Sequence, residues 1–314
     1  MDIHKFVKYV HMTCNNFFSR HNVLTFFYLF PVRAAATILP TRTVRALGRL
    51  LSHIYALPLV AGERRKSLEE SLSRAFRDKK TADEIKELSG CCIHNAISSY
   101  IDDLILPRID NRSLMTSGKI EGMENLMTAL SGQRGVILVS GHFSGNRVAK
   151  RFLRDKGYPI LSVRNRYPSH LKANHTEMNY LSMKWHRLLD VVVADHVFTE
   201  DNGFGLEILR RLRENGLVSI LFDALNSKHI IECPFLGSTR LFSADFLRVA
   251  RLTHASVLPM LCIGNSSVFT IKFEKEVELD THEDMATFLS INLRKIVKTM
   301  ESHVLAYPTH WLFM

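Results

Sequence analysis

A series of short apolar runs without polar alternation, beginning with Gly135-Val-Ile-Leu-Val-Ser140, limits this chain to few architectures. Such a run suits a strand covered on both faces, as in a parallel sheet. Similar runs follow at 159–163, 191–194, 217–222 and 256–263, with a more alternating one at 268–273. Helical periodicity fills the gaps at about 145–157, 170–187, 203–215 and 243–253. The third of these ends at Gly216, where a left-handed cap normally falls. A last helix, from about residue 281 to 304, sets Met285, Phe288, Leu289, Ile296, Val297 and Met300 on one side. Strands alternating with helices predict an α/β fold, a mostly parallel central sheet flanked by helices. Residues 41–131 read as helices, with Thr81-Ala-Asp-Glu84 a capping box opening a helix to about residue 97. That adds a helical N-terminal segment to the sheet.

Ligands of such sheets gather at the carboxyl ends of the strands. His142 lies two residues beyond the first run, Arg164, Asn165 and Arg166 follow the second, and Asp223 follows 217–222. All are expected on one rim. In Val139-Ser-Gly-His-Phe-Ser-Gly-Asn-Arg147 the histidine occupies a strand-to-helix turn between glycines. There it can act as a general base beside backbone N–H groups that meet a developing oxyanion. An isolated histidine more often packs or bonds locally, so spacing alone does not decide between the two. Ser140 and Ser144 lack a GxSxG elbow and are not expected to be nucleophiles.

The net charge of +10 is lopsided: residues 142–187 hold ten Lys or Arg against two acids, +8 of the total. That concentration points to a polyanionic partner. With no helix-turn-helix, RNP-type or zinc-finger sequence, nucleic acid gives way to a phosphorylated lipid or an acidic carrier protein. Five cysteines, at 14, 91, 92, 233 and 262, show no CxxC and no zinc spacing. The odd count argues against a disulfide framework or structural metal and fits a reducing compartment, with Cys91 and Cys92 as packing residues. Nothing indicates a metal, nucleotide or flavin. No cleavage site follows a short apolar run, so no secretory leader is expected. Residues 23–39 are apolar but broken by Pro31 and Arg33, too short for a span. With Lys5, Lys8 and Arg20 before them they fit an interfacial anchor, the alternative being an ordinary buried helix of the core; 1–40 is expected to associate with a membrane and 41–314 to form the catalytic domain.

The motif GHFSGN resembles the GHFGN-type sequence of the late acyltransferases of lipid A biosynthesis, relatives of the lysophospholipid acyltransferases with their His-x4-acid motif. The preceding GMENLMTALSGQRGVILVSGHF is similar to the family's order of helix, glycine, strand and motif. Downstream, LFDALNSKHIIECPFLGSTRLFSADFLRVARLTHASVLPM resembles its strand, Asp and PFFG-like turn, and YPTHWLFM its aromatic end. The resemblance covers roughly residues 41–314. It implies an acyltransferase at the cytoplasmic face of the inner membrane, moving an acyl group from an acyl-carrier protein or acyl-coenzyme A to an anionic lipid or glycolipid. It also implies His142 as base and Pro234-Phe-Leu-Gly237 as a turn lining the acyl groove. The rim clustering and the basic excess, not the resemblance, put Arg147, Arg164, Asn165 and Arg166 on the substrates or solvent, with Arg240 beyond the turn a further candidate.

One departure stands out. Where the family has an acid five positions after the histidine, this chain has Arg147, or Val148 if Ser144 is an insertion. The carboxylate must come from elsewhere, with Asp223 best placed and Glu177 or Glu121 behind it, or Asn146 must orient the ring, or the site is inactive. The altered motif leaves open transfer of another carrier-bound group, such as an aminoacyl unit, and a non-catalytic lipid- or partner-binding role.

Overall fold

The computed structural model describes residues 28–165, 193–225 and 227–312. Helices α1 (Arg33–Ile38), α2 (Thr41–Tyr55), α3 (Pro58–Phe76) and α4 (Ala82–Ile105) form the N-terminal region. Short elements α5 (Asn111–Ser117), β1 (Gly118–Glu121) and α6 (Met123–Ser131) lead to β2 (Val136–Ser140) and α7 (Asn146–Asp155). Then come β3 (Ile160–Arg164), β4 (Asp195–Phe198), α8 (Phe204–Arg213) and β5 (Leu217–Leu221). A hairpin, β6 (Ile230–Phe235) and β7 (Ser238–Ser243), precedes α9 (Asp245–Thr253), β8 (Ser256–Asn265), β9 (Val268–Phe273) and α10 (Met285–Ala306).

Seven strands form one sheet in the order β1-β9-β8-β2-β5-β3-β4. Strands β8, β2, β5, β3 and β4 are parallel. Strand β9 returns antiparallel to β8, with β1 parallel beside it. The fold is therefore α/β with a mostly parallel sheet. Every residue of β2 is buried, and alternate side chains feed opposite cores. Ile137 and Val139 join the cluster under α8, α9 and α10, whereas Val136 and Leu138 join the one under α4 and α7. Four such side chains contribute roughly 6–12 kcal/mol, an upper bound because the unfolded chain already shields some surface. A run without polar interruption is what two apolar layers demand.

The capping box is present: Glu84 N–H donates to Thr81 Oγ1 at 3.3 Å and Thr81 N–H to Glu84 Oε2 at 2.7 Å. Helix α4 runs on past 97 to Ile105. The reading of 41–131 as wholly helical is corrected by β1, whose half-exposed Gly-Lys-Ile-Glu becomes a strand through pairing with β9. Of the strand expected at 191–194, residues 191 and 192 lie outside the described residues and 193–194 are not strand; the described strand is Asp195–Phe198, where β3 supplies a partner. Val193 and Ala194 are buried just before it, and the helix expected at 170–187 lies outside the described residues. The left-handed position after α8 belongs to Asn215 (φ 56°), not Gly216. Asn215 serves better there because its Oδ1 accepts from Gly135 N–H at 3.0 Å and its Nδ2 donates to Leu130 O at 2.9 Å, tying α8 to the start of β2. Of the cysteine pair, Cys92 packs in the core while Cys91 is exposed.

Candidate functional site

The sheet register brings the site together. Ser140 pairs with Leu221 across neighbouring parallel strands β2 and β5. His142 and Asp223 each stand two residues beyond that pair, so the turns leaving both strands place them at one level. Asp223 Oδ1 lies 2.8 Å from His142 Nδ1, and Asp223 Oδ2 accepts from the His142 backbone N–H at 2.9 Å. Trp311 Nε1–H donates to the same Oδ2 at 3.0 Å. The carboxylate is nearly sealed, with its side chain 4% exposed, while the imidazole is 31% exposed. Burial pushes the Asp223 carboxyl up, but the His142 ring, its amide and the Trp311 indole outweigh this and hold it below the ordinary carboxylate value.

The turn carrying His142 is clamped on all sides. Phe143 pairs with Trp311 as an antiparallel bridge, Ser144 N–H donates to His310 O at 2.8 Å, and Leu312 N–H donates to His142 O at 2.9 Å. Ser99 on α4 donates from Oγ to Ser144 O at 2.9 Å. The Ser144 hydroxyl meets Nδ1 of His310 at 2.9 Å, and burial lowers the pKa of that ring, favouring the neutral acceptor. Gly145 follows because nothing larger fits: a Cβ there would come within 2.4 Å of Cys262 Sγ on β8. Ser140 is buried and its hydroxyl donates to Gly141 O at 3.3 Å, so it is not presented as a nucleophile.

The other expected residues divide. Asn146 does not hold the ring: Nδ2 donates to Gly141 O at 2.8 Å, bracing the peptide before His142, and its buried Oδ1 has no hydrogen-bond partner among the described residues. The guanidinium of Arg147 pairs with Asp103 on α4. Arg240 stacks over the Trp311 ring at 5.2 Å, so the hairpin delivers it beside the Asp223 cluster. Burial and then the neighbouring Arg74 lower its pKa from the usual guanidinium value. The hairpin turns at Leu236 (φ 53°) and Gly237 (φ 71°), where a Cβ on Gly237 would strike Arg74 O at 2.5 Å. Arg164 ends β3, which lies beyond β5 from β2, and Asn165 follows it, its Oδ1 accepting from Thr199 Oγ1 at 2.7 Å. Arg166 and Glu177 lie outside the described residues. Glu121 is set aside as partner to the ring, because β1 is the far edge strand and runs opposite to β2.

Much of the described basic run is engaged internally. Lys150 Nζ donates to Ser162 Oγ at 2.8 Å, Arg151 to the carbonyls of Leu106 and Ile109, and Arg154 to Asp155. The positive excess is thus partly a set of ties within α7 and from it to β3 and to the segment that follows α4, and not wholly a surface field. Sequence reasoning misses Trp311, His310 and Ser99 as supports of the site. The aromatic end of the sequence is the one available signal for the first two.

The chain is thus an α/β protein with a histidine–carboxylate pair at the carboxyl edge of a mostly parallel sheet, its imidazole partly open to solvent. The family model for bacterial lipid A biosynthesis acyltransferases matches residues 16–314, and the chain belongs to that family. Membership implies acyl transfer to a lipid acceptor. A search of curated proteins found no match. Among the described residues no helix is long and apolar enough to cross a membrane.

Proposed function

We propose that the chain moves an acyl group from a thioester donor, acyl-carrier protein or acyl-coenzyme A, to a hydroxyl of an anionic lipid or glycolipid, with His142 as general base. The carrying observation is the 2.8 Å contact between Asp223 and His142 Nδ1. An Nδ1–H donated to the carboxylate makes Nε2 the basic nitrogen. Nε2 takes the proton as the acceptor oxygen attacks the thioester carbonyl. Collapse of the tetrahedral intermediate breaks the C–S bond, and the imidazolium returns the proton to the departing thiolate. Asp223 stabilises the imidazolium in between, in the role of the motif acid that Arg147 or Val148 replaces. Backbone N–H groups at the start of α7 meet the oxyanion. Arg164, Asn165, Arg166 and Arg240 face the phosphate-bearing parts of donor and acceptor, and Arg147 steadies the first turn of α7 through Asp103. Residues 1–40 hold the catalytic domain, 41–314, at the cytoplasmic face of the inner membrane.

The supported carboxylate favours an enzyme over a non-catalytic binder. The test is to incubate purified protein with a panel of acyl thioesters and lipid acceptors and read products by mass spectrometry. Acylated lipid with release of free thiol is expected; no product from any pairing refutes the reading, and an aminoacylated product redirects it.

A further inference from the structure

Helix α2 has a buried face of small residues and an exposed apolar stripe that point different ways. Val44, Gly48 and Ser52 are buried against α4, where the Cβ position of Gly48 lies 2.9 Å from Ile101. Leu47, Leu50, Leu51 and Ile54, three and four residues apart on another face, are exposed, and Leu57 continues the line. On the preceding helical turns Ile38 is 77% exposed and Phe30 is exposed too. Scattered surface leucines need no explanation, but a connected set of this size on one element does.

The charge around the stripe selects its partner. From position 33 to 62 the sequence contains Arg33, Arg42, Arg45 and Arg49 and no carboxylate. Arg45 is turned inward to Asp102 and Ser266. Arg42 and Arg49 are exposed too, on the adjoining side of the helix about a quarter turn round from Leu50. A leucine-rich face flanked only by cations is what an interfacial helix presents to acidic headgroups. A second copy of the chain fits poorly, because a two-fold contact through this face would set arginines against arginines with no acid to pair them. Residues 1–27 of the same chain fit poorly as well, since they carry Lys5, Lys8 and Arg20 against Asp2 alone.

We infer that the outward face of α2, extended by Ile38 and Leu57, is the docking surface for an anionic lipid leaflet. The membrane-facing element is then this helix within the catalytic domain and not only the segment before it. Helix α2 packs on α4, and α4 reaches the catalytic turn through Ser99 to Ser144 and through Asn95 Nδ2 to Thr309 O at 2.7 Å. A leaflet held on α2 is thus braced against the turn that carries His142. The inference rests on the acyl-transfer reading only in that its acceptor lies in the leaflet.

The test uses the full chain and sedimentation with vesicles of phosphatidylcholine, with and without phosphatidylglycerol. Leu50→Glu/Ile54→Glu alters exposed positions, so the thermal melt should not move, while partition onto anionic vesicles should fall by about tenfold or more. Arg42→Glu/Arg49→Glu should weaken binding to anionic vesicles and leave the weak binding to neutral ones unchanged. Transfer to a detergent-dispersed acceptor should persist in the leucine variant while transfer to a vesicle-embedded acceptor drops. Unchanged partition of the leucine variant overturns the inference. So does a wild-type dimer that the substitutions dissociate without affecting vesicle binding. Because sedimentation needs no turnover, loss of docking is read even if no acyl donor is ever found.

Discussion

Replacing Asp223 by Asn changes one charge and almost no volume, yet the geometry predicts that it reverses the imidazole. Oδ2 receives two donors, the His142 amide at 2.9 Å and the Trp311 indole at 3.0 Å. In the Asp223→Asn variant the side-chain amide oxygen must therefore take the Oδ2 position, which turns the NH2 group toward His142 Nδ1. The ring nitrogen must then accept, its proton moves to Nε2, and the nitrogen needed as base is blocked. In the serine-protease triad the same exchange costs about 10⁴ in turnover, and a loss of about 10³–10⁴ in kcat/KM is expected here. Stability should change far less, by about 1–2 kcal/mol, since charged hydrogen bonds become neutral ones with the same partners. The pH dependence has a definite sign. The folded pKa of Asp223 is depressed, so its stabilisation is complete above the unfolded value of about 3.9 and is lost as pH falls through the folded pKa. The stability gap between wild type and Asp223→Asn should be full near neutrality and close as pH falls through that depressed value. The assays are thioester turnover with a lipid acceptor, urea unfolding across acidic pH, and ¹⁵N shifts of the His142 ring. A variant that keeps wild-type turnover, or whose ring keeps its proton on Nδ1, would show that Asp223 does not set the tautomer.

Trp311→Phe keeps an aromatic ring under Arg240 and removes the indole donor to Asp223; it should cost about 1–3 kcal/mol in a thermal melt and about tenfold in turnover, less than the Asn exchange. Gly145→Ala drives a methyl into Cys262 Sγ and should destabilise by about 1–3 kcal/mol, with Cys262→Ala in the same chain restoring part of the loss; additive losses in urea midpoints would contradict the packing. Asp103→Ala takes the carboxylate from the partly buried Arg147, so it should cost about 1–2 kcal/mol, and the double variant with Arg147→Ala should lose less than the sum. Strictly additive melts for that cycle would show the pair to be idle.

The parallel sheet is legible in the sequence because β2 and β5 serve two cores at once and so carry apolar residues almost without interruption. The edge strands are harder. Half-exposed β1 and β4 gain their identity from a neighbour's hydrogen bonds, which no local pattern encodes. The rim position of Asp223 follows from counting residues past a strand, but its contact with His142 needs the knowledge that β5 lies directly beside β2. Arg147 shows the opposite limit. Its sequence position invites a substrate role, while its partner, Asp103, comes from a helix 44 residues earlier. Trp311 lies 88 residues from Asp223, and no spacing rule links an indole to a carboxylate at that distance.

Removal of the acceptor proton by the His142 imidazole is the step on which the rest depends. The decisive measurement is the rate of lipid acylation by purified His142→Ala beside wild type at saturating thioester. A fall of at least about 10³ is expected, with a thermal melt that is lowered but still cooperative, because Asp223 loses its ring partner. A variant that acylates lipid at the wild-type rate would contradict the assignment of His142 as the base.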